Sequence, residues 1–229
     1  MLIGGIQKLS LIDYPKKMAA TVFTQGCPFR CHYCHNAELV LPKKFNRPIP
    51  EKEIFAFLET RVGKLDAVVI SGGEPTVQPD LLLFIKKIKE LGFLVKLDTS
   101  GINPHKLEYL IKAKLLDYVA MDVKAPLEKY PKIIGKKIDI EKIKRSIGII
   151  LKSSISYEFR TTLVDSLHSF DDVIDIAKSI KGADQLSLQK FIATSTLNPR
   201  FISHGCFSDD TLLSLKKETE KHVKTCIIR

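Results

Sequence analysis

Long apolar runs are missing from this sequence of 229 residues. The apolar stretches are short and interrupted by charge, and none approaches the roughly 18 to 20 residues that a membrane-spanning helix needs. The first residues also lack the basic head, apolar region and small-residue cleavage site of a secretory signal. We therefore expect a cytoplasmic protein without membrane contact.

Linkers and low-complexity segments are missing as well. With 45% hydrophobic and 27% charged residues, the chain has the composition of a globular domain and the length to bury a sizeable core. We expect one domain over residues 1–229, with a short N-terminal extension at about residues 1–18.

Acidic residues are in deficit, since 26 Asp and Glu stand against 36 Lys and Arg, a net charge of +10. Such an excess can attract nucleic acid, an acidic protein or a phosphate-bearing ligand. The lysines are spread through nearly every predicted helix, however, which is typical of a solvated basic surface. Charge alone therefore does not indicate a nucleic-acid partner.

Cysteine is scarce and odd in number, which argues against a disulfide framework. Of the five cysteines, Cys27, Cys31 and Cys34 fall within eight residues. Cys206 and Cys226 stand apart, without a neighbouring cysteine at ligand spacing, and we interpret them as free thiols.

Short β-rich runs alternate with amphipathic helical segments, a pattern that favours parallel strands joined by crossover helices. Six βα units are fewer than the eight of a closed barrel, so an open partial barrel and a flat doubly wound sheet both remain. The six predicted strands are Ala19–Thr24, Ala67–Ser71, Leu94–Thr99, Tyr118–Asp122, Ser156–Thr161 and Gln185–Gln189.

Residues that typically begin a helix lie between these strands. Proline is expected at first helical positions, and Asn, Asp or Ser at N-caps. First helical positions are predicted at Pro79 and Pro104, and N-caps at Asn103, Asp139 and Ser169. Ser208 is predicted to cap a last helix that runs to about Lys224.

Polar and glycine-rich clusters follow the strands at their carboxyl ends, where parallel α/β folds build their sites. The opposite ends show no such concentration, so we expect a single catalytic face. The clusters are residues 26–36, 71–75, 98–101 and 121–124, together with Arg160, Gln189 and Lys190.

The C-x3-C-x2-C spacing of Cys27, Cys31 and Cys34 lets three thiolates converge on one soft metal centre, such as a 4Fe–4S cluster. Three ligands leave one iron of the cube open to an exogenous molecule. The alternative is a structural zinc site completed by His32 or His35, although zinc ligands usually come as two couples separated along the chain.

The other clusters are individually weak signals. Gly72 and Gly73 beside Glu74 suit a backbone approached by a ligand, with a carboxylate for an ammonium group, but a Gly-Gly pair also makes ordinary turns. Asp98 and Asp122 are also suited to cap the segments that follow their strands. Lys124, two residues after Asp122, would then be an ordinary surface lysine.

Together these residues resemble the radical S-adenosylmethionine (SAM) superfamily, whose signature loop has the same cysteine spacing with an aromatic residue, here Tyr33, before the last cysteine. The resemblance covers most of the chain and is nearest to activating proteins of anaerobic ribonucleoside-triphosphate reductase. Residues 12–15, 23–27 and 33–36 carry that match, while Lys16 stands where related sequences often have glycine.

The resemblance implies a partial (β/α)6 barrel, open at one side, with SAM chelating the open iron of the cluster. It implies that the Gly73-Glu74 segment meets the amino group of SAM. It assigns the adenine to the backbone of Tyr33, Cys34 and His35, and the ribose and carboxylate side to Asp122, Val123 and Lys124.

Two further assignments follow from the resemblance to the pyruvate formate-lyase activating type. Gln189 occupies the cofactor-site position where that type carries a histidine. Asp98, Thr99, Met121 and Asp122 match a place where such relatives hold a monovalent cation.

The implied activity is reductive cleavage of SAM, driven by a flavodoxin- or ferredoxin-like reductant, to a radical that abstracts hydrogen from a glycine of a partner enzyme. The short chain has no spare domain to enclose a small substrate, which favours a partner's loop. The alternatives are a radical enzyme acting on a small molecule or nucleotide, and a zinc-binding adaptor or nucleic-acid-binding module without catalysis.

Cysteine replacement tests this hypothesis. Protein reconstituted without oxygen should be brown and hold about four irons, and alanine at Cys27, Cys31 or Cys34 should abolish both the cluster and SAM cleavage. Cys206→Ala and Cys226→Ala are the matched controls and should retain both. Stoichiometric zinc without iron, or loss of the cluster in Cys206→Ala alone, contradicts the assignment.

Overall fold

A single eight-stranded sheet forms the centre of the computed structural model, which describes all residues 1–229. The strands lie side by side in chain order: β1 antiparallel to β2, and every later neighbour parallel. The outermost strands, β1 and β8, do not pair with each other, so the sheet stays open. The strands are β1 Ile3–Ser10, β2 Ala19–Thr24, β3 Ala67–Gly72, β4 Leu94–Thr99, β5 Tyr118–Asp122, β6 Ser156–Leu163, β7 Leu186–Lys190 and β8 Cys226–Ile228.

All six predicted strands are present as β2 to β7, with ends within two residues of the predicted ones. The sequence did not indicate the two edge strands. β1 contains Gly4 and Gly5, and its pairing with β2 is interrupted by register shifts, so no regular alternation marks it. Residues 3–10 of the predicted N-terminal extension therefore belong to the sheet.

Helices connect the parallel strands and cover the outer face of the sheet. On α3 an apolar stripe is buried against the sheet, formed by Leu81, Phe84, Ile85 and Ile88. No helix is long and apolar enough to cross a membrane. The helices are α1 Ala37–Val40, α2 Glu51–Glu59, α3 Leu81–Glu90, α4 Pro104–Lys112, α5 Tyr130–Ile134, α6 Ile140–Leu151, α7 Phe170–Ser179 and α8 Asp209–Thr219.

The predicted caps are confirmed, since the side chains of Asn103, Asp139, Ser169 and Ser208 each accept a hydrogen bond from the first turn of a helix. Two boundaries were wrong. Pro79 precedes Asp80, the residue that caps α3, and is not in the helix. The last helix ends at Thr219 and not near Lys224, because the chain turns there toward β8. In this turn the backbone N–H of Lys224 donates to the carbonyl of Ala183.

The loop after β1 closes the amino end of the curved sheet. Tyr14 packs against Tyr118 of β5 at 5.6 Å between ring centroids, above the small side chains of Ala19, Ala67 and Ala120. Lys16 in this loop has φ +59°, a region that favours glycine, which explains why related sequences often have glycine there.

Above this apolar layer the interior carries a buried charge, Lys96 of β4, which is 2% exposed. Its Nζ donates to the carbonyl of Asp13 at 2.5 Å and lies 3.0 Å from Asp98 Oδ1 and 3.9 Å from Glu158 Oε1. Glu158 is also buried and pairs with Arg229 at 3.0 Å. Charges in such a place are stable only when each has a partner.

Removing one member of this network should destabilise the fold. Lys96→Met leaves Asp98 and Glu158 short of a counter-charge, so we expect the free energy of unfolding to fall by about 3 kcal/mol. Urea denaturation of the apoprotein measures this free energy. The control is the exposed substitution Lys86→Met on α3, whose free energy of unfolding should stay within about 0.5 kcal/mol of wild type. Equal stability of both variants contradicts the network's role.

Candidate active site

A cavity of about 140 Å³ opens at the carboxyl ends of the strands. The loop after β2 and the ends of β3 to β6 all contribute to its wall. It is lined by Cys27, Phe29, Cys31, Tyr33, Cys34, Asn36, Val40, Ser71, Gly72, Gly73, Asp98, Thr99, Ser100, Asp122, Lys124 and Arg160. The cavity thus brings together members of the predicted clusters up to Arg160, whereas Gln189 and Lys190 lie outside it.

The cysteine loop, residues 27–36, is anchored from several sides. The backbone N–H of Arg30 donates to the carbonyl of Ile134 on α5 at 2.7 Å. On another side, the N–H groups of Leu197 and Asn198, in the segment after β7, donate to the carbonyls of Cys34 and His32 at 2.8 and 3.0 Å. These contacts come from distant parts of the chain and fix the shape of the loop.

The three thiols line the cavity, with Cys31 buried and Cys27 and Cys34 half-buried. Burial raises the pKa of Cys27 to about 12 and that of Cys31 to about 11, and it also raises the pKa of Cys34. Thiolates here therefore need the positive charge of a bound metal centre. Three soft sulfur donors at one cavity fit an iron–sulfur cluster with an open coordination position.

The zinc alternative needs His32 or His35 as a fourth ligand beside the three cysteines. The ring of His32 stacks on Phe201 with centroids 5.6 Å apart, and the ring of His35 packs edge-on against Phe191 at 5.3 Å. Both imidazoles are thus engaged in packing.

Arg160 of β6 joins the charged wall of the cavity. Its Nε donates to Asp122 Oδ1 at 2.9 Å, and its NH1 group donates to Asp98 Oδ2 at 3.1 Å. Lys124 Nζ donates to the other oxygen of Asp122 at 3.2 Å, and Ser71 donates to Asp98 at 3.0 Å. Each carboxylate is therefore held by at least two donors, Asp98 also by Lys96, and keeps a fixed direction.

These pairs stay ionised at neutral pH. Burial alone would raise the pKa of Asp122, but the charges of Arg160 and Lys124 outweigh it and hold the pKa at about 2. Against the same effect of burial, Arg160 and Lys96 lower the pKa of Asp98. The pKa of Lys124 is raised, because Asp122 overcomes the opposing effect of burial.

The double glycine joins β3 to the cysteine loop. A side chain at Gly73 would place its Cβ 2.2 Å from the carbonyl oxygen of Gly26, and Gly72 has φ +104°. The N–H groups of Gly73 and Glu74 donate to the carbonyls of Thr24 and Gly26, both at 2.8 Å. Only glycine permits this close approach of two backbones.

The Glu74 side chain is turned away from the cavity and buried. Its carboxylate accepts hydrogen bonds from the backbone and hydroxyl groups of Thr76 and Ser100 and from the hydroxyl of Thr99. Five donors exceed the roughly four lone-pair positions of a carboxylate, so no capacity remains for the ammonium group suggested by the sequence. Any ligand contact of this segment falls to its backbone.

The remaining predicted residues divide into two groups. His35 and Gln189 line a second, adjoining pocket, which Tyr33 and Cys34 also border. The side chain of Val123 is buried in the core, while its N–H donates to the carbonyl of Arg160 and its own carbonyl accepts from Thr161.

The site also contains residues to which the sequence gave no role. Arg160 lies near the end of a predicted strand, two residues after Glu158. This spacing places both side chains on the same, inner face of the strand, and it was the signal that the sequence offered. Tyr130 and His168 gave none: the N–H of Lys124 donates to Tyr130 Oη at 3.0 Å, and His168 Nε2 lies 2.9 Å from the carbonyl of Lys124. These two side chains hold the backbone of Lys124 from both sides.

The model of the Radical SAM superfamily matches residues 21–183, which include the cysteine loop and most of the cavity wall. The chain belongs to the radical SAM superfamily. It is 40% identical, over 100% of its own length and 95% of the other protein, to a Methanocaldococcus jannaschii protein provisionally named a glycyl-radical enzyme activating enzyme. It is 30% identical to the pyruvate formate-lyase-activating enzyme of Clostridium pasteurianum, over 81% of this chain and 80% of that enzyme.

Among solved structures, Streptococcus suis SuiB bound to SAM has a similar fold, with a TM-score of 0.66 and 15% identity, over 90% of this chain and 48% of that one. The predicted partial barrel, open at one side, is thereby confirmed. Radical SAM proteins use a 4Fe–4S cluster and SAM, so this chain is an enzyme of that type. The adaptor alternative without catalysis is wrong.

The pairing of Asp122 can be tested by titration. The ionised Asp122 carboxylate stabilises the folded protein at pH values above the ordinary aspartate pKa of about 4. That stabilisation is lost as the pH falls through the pKa of Asp122 in the folded protein, about 2. Arg160→Met removes the charge that lowers this pKa most, so we expect the pKa to rise by about one unit or more. Carbon-13 NMR of the Asp122 carboxyl group measures it, and exposed Arg145→Met is the control. An unchanged pKa in Arg160→Met contradicts the pairing.

Proposed function

We propose that this enzyme cleaves SAM reductively and raises a glycyl radical on a partner enzyme, anaerobic ribonucleoside-triphosphate reductase, acting as a single-domain protein in the cytoplasm. The observation that carries the proposal is the similarity, over the whole chain, to the provisionally named activating enzyme of M. jannaschii. The similarity to the clostridial pyruvate formate-lyase-activating enzyme supports the same class of reaction.

Cys27, Cys31 and Cys34 are the proposed ligands of the cluster. Support comes from their position on one cavity wall and from the raised pKa values of the free thiols, which a metal centre would offset. When bound with SAM, the cluster supplies the electron that splits the sulfonium bond into methionine and a 5′-deoxyadenosyl radical.

The chain itself contributes orientation. The amino group of SAM is assigned to the backbone at Gly73 and Glu74, since the Glu74 carboxylate is already occupied. The ribose and carboxylate side is assigned to Asp122, Val123 and Lys124. Lys124 and Asp122 line the cavity in fixed positions, whereas Val123 can contribute only backbone atoms.

The adenine is assigned to the backbone of Tyr33, Cys34 and His35, next to Gln189. The pocket that these residues border adjoins the main cavity, which supports a nucleoside lying across both. A monovalent cation is assigned to the region of Asp98, Thr99, Met121 and Asp122. Arg160 already bridges Asp98 and Asp122 with its positive charge, so a cation there has to share these carboxylates with it.

The partner is proposed to insert a glycine-bearing loop at the open mouth of the cavity. A flavodoxin- or ferredoxin-like protein is the proposed electron donor. The remaining alternative is a radical enzyme for a small molecule or nucleotide, which needs a pocket closed by this chain alone. The sheet instead stays open between β1 and β8, which favours the macromolecular substrate.

Electron paramagnetic resonance tests the proposal. With dithionite and SAM, the reconstituted enzyme should produce the doublet of a glycyl radical on anaerobic ribonucleotide reductase. Asp122→Asn should reduce the radical yield by about tenfold or more, because a misplaced reactant loses effective molarity, while the iron content stays unchanged.

Asp175→Asn, an exposed change on α7, is the matched control and should give the wild-type yield. If a free small molecule is turned over and no glycyl radical enzyme carries a doublet, the small-molecule alternative replaces the proposal. If another glycyl radical enzyme is activated in place of the reductase, only the choice of partner fails.

A further inference from the structure

The outer side of the cysteine loop is covered by α5 and the turn that follows it. Gly135 ends α5 with φ +63°, and a side chain there would place its Cβ 2.8 Å from the carbonyl oxygen of Arg30. Arg30 lies between Cys27 and Cys31, and its guanidinium donates to the carbonyls of Cys27 and Phe29 at 2.7 and 2.6 Å. The segment after β5 therefore touches the loop at the centre of the cysteine motif.

Three lysines on this segment form a basic patch, defined by Lys132, Lys136 and Lys137. All three are exposed, and none pairs with an acidic side chain. Other lysines in similar surroundings do find partners, as Lys129 does with Asp172 at 2.7 Å. Residues 129–138 contain no acidic residue, and neither of the flanking acids, Glu128 and Asp139, forms an ion pair with a lysine of the patch.

We infer that the basic patch is the docking site of an acidic electron-carrier protein that reduces the enzyme. This inference rests on the proposed role of Cys27, Cys31 and Cys34 in holding the cluster. The cavity side of the loop is reserved for SAM and the partner's glycine, so a carrier has to approach from the outer side. Unpaired positive charge there attracts a negatively charged protein and speeds its encounter.

The electron balance is simple. One electron leaves the reduced cofactor of the carrier and enters the cluster, so the carrier is oxidised as the cluster is reduced. Redox encounters of this kind are brief and small, below about 1,200 Å² of buried surface. A few lysines beside the cluster loop are enough for such an encounter, and no apolar interface is required.

A second group of unpaired cations allows a matched comparison. Lys43, Lys44 and Arg47 are also exposed and carry the same charge. Their segment is tied to the edge of the sheet, where Gln25 Nε2 donates to the carbonyl of Asn46 and the N–H of Ile49 donates to Ile3. It has no backbone hydrogen bond to residues 27–35 of the cysteine loop, unlike the α5 segment.

The test uses the reconstituted holoenzyme and reduced flavodoxin, an acidic carrier. The patch variant is Lys132→Gln/Lys136→Gln/Lys137→Gln, and the matched variant is Lys43→Gln/Lys44→Gln/Arg47→Gln. Stopped-flow absorbance follows cluster reduction at increasing flavodoxin concentration and at low and high salt. Dithionite, a small reductant that needs no docking, checks each variant for an intact site through 5′-deoxyadenosine formation.

We expect the patch variant to need about tenfold more flavodoxin at low salt, with a weaker salt dependence. The matched variant should stay within about twofold of wild type, because its charges lie off the approach path. All proteins should be equally active with dithionite, and an arginine triple at the patch should behave like wild type.

Three results overturn the inference: an unchanged flavodoxin requirement, an equal rise in both glutamine triples, or a failed rescue by arginine. Loss of dithionite activity in the patch variant also counts against it, since the lysines would then serve the loop itself. None of these measurements uses a glycyl radical enzyme. A failure of the proposed function therefore shows separately, as cluster reduction without a glycyl radical.

Discussion

The pairing of Arg160 with two aspartates is the constraint on which the site depends. Arg160 rises from β6 inside the sheet and reaches Asp122 on the neighbouring strand and Asp98 one strand further. A buried guanidinium with both carboxylates is stable, whereas any one of the three alone is costly. The curvature of the sheet brings β4, β5 and β6 close enough for this bridge, so the polar wall of the cavity and the shape of the barrel support each other.

The backbone contact between the double glycine and the cysteine loop has a comparable role on the other side of the cavity. The carboxylate of Glu74 ties the end of β3 to the start of the turn after β4 through Thr99 and Ser100. The Gly72–Glu74 segment, which the sequence suggests as a ligand contact, is therefore first a joint between strands. Its ligand-facing surface is peptide, and side-chain chemistry is left to Asp122 and Lys124.

Much of this was accessible from the sequence, because parallel strands place their carboxyl ends at one edge. The six inner strands and the cavity position of the cysteines, Gly73, Asp98, Asp122 and Lys124 follow from that rule. What it could not supply were contacts between distant residues. The burial of Glu74, the clamp of Tyr130 and His168 on Lys124, and the edge strand β1 depend on packing that no local pattern encodes.

The anchoring of the cysteine loop bears on how the enzyme is assembled. Backbone hydrogen bonds hold the loop from α5 and from the segment after β7, and they hold Gly26, just before the loop, from the end of β3; none of them involves a sulfur atom. In small zinc domains the metal itself drives folding, because nothing else fixes the ligands. Here backbone contacts from distant parts of the chain fix the ligands as well. The shape of the loop is therefore set by the scaffold around it and not by its sulfur atoms alone.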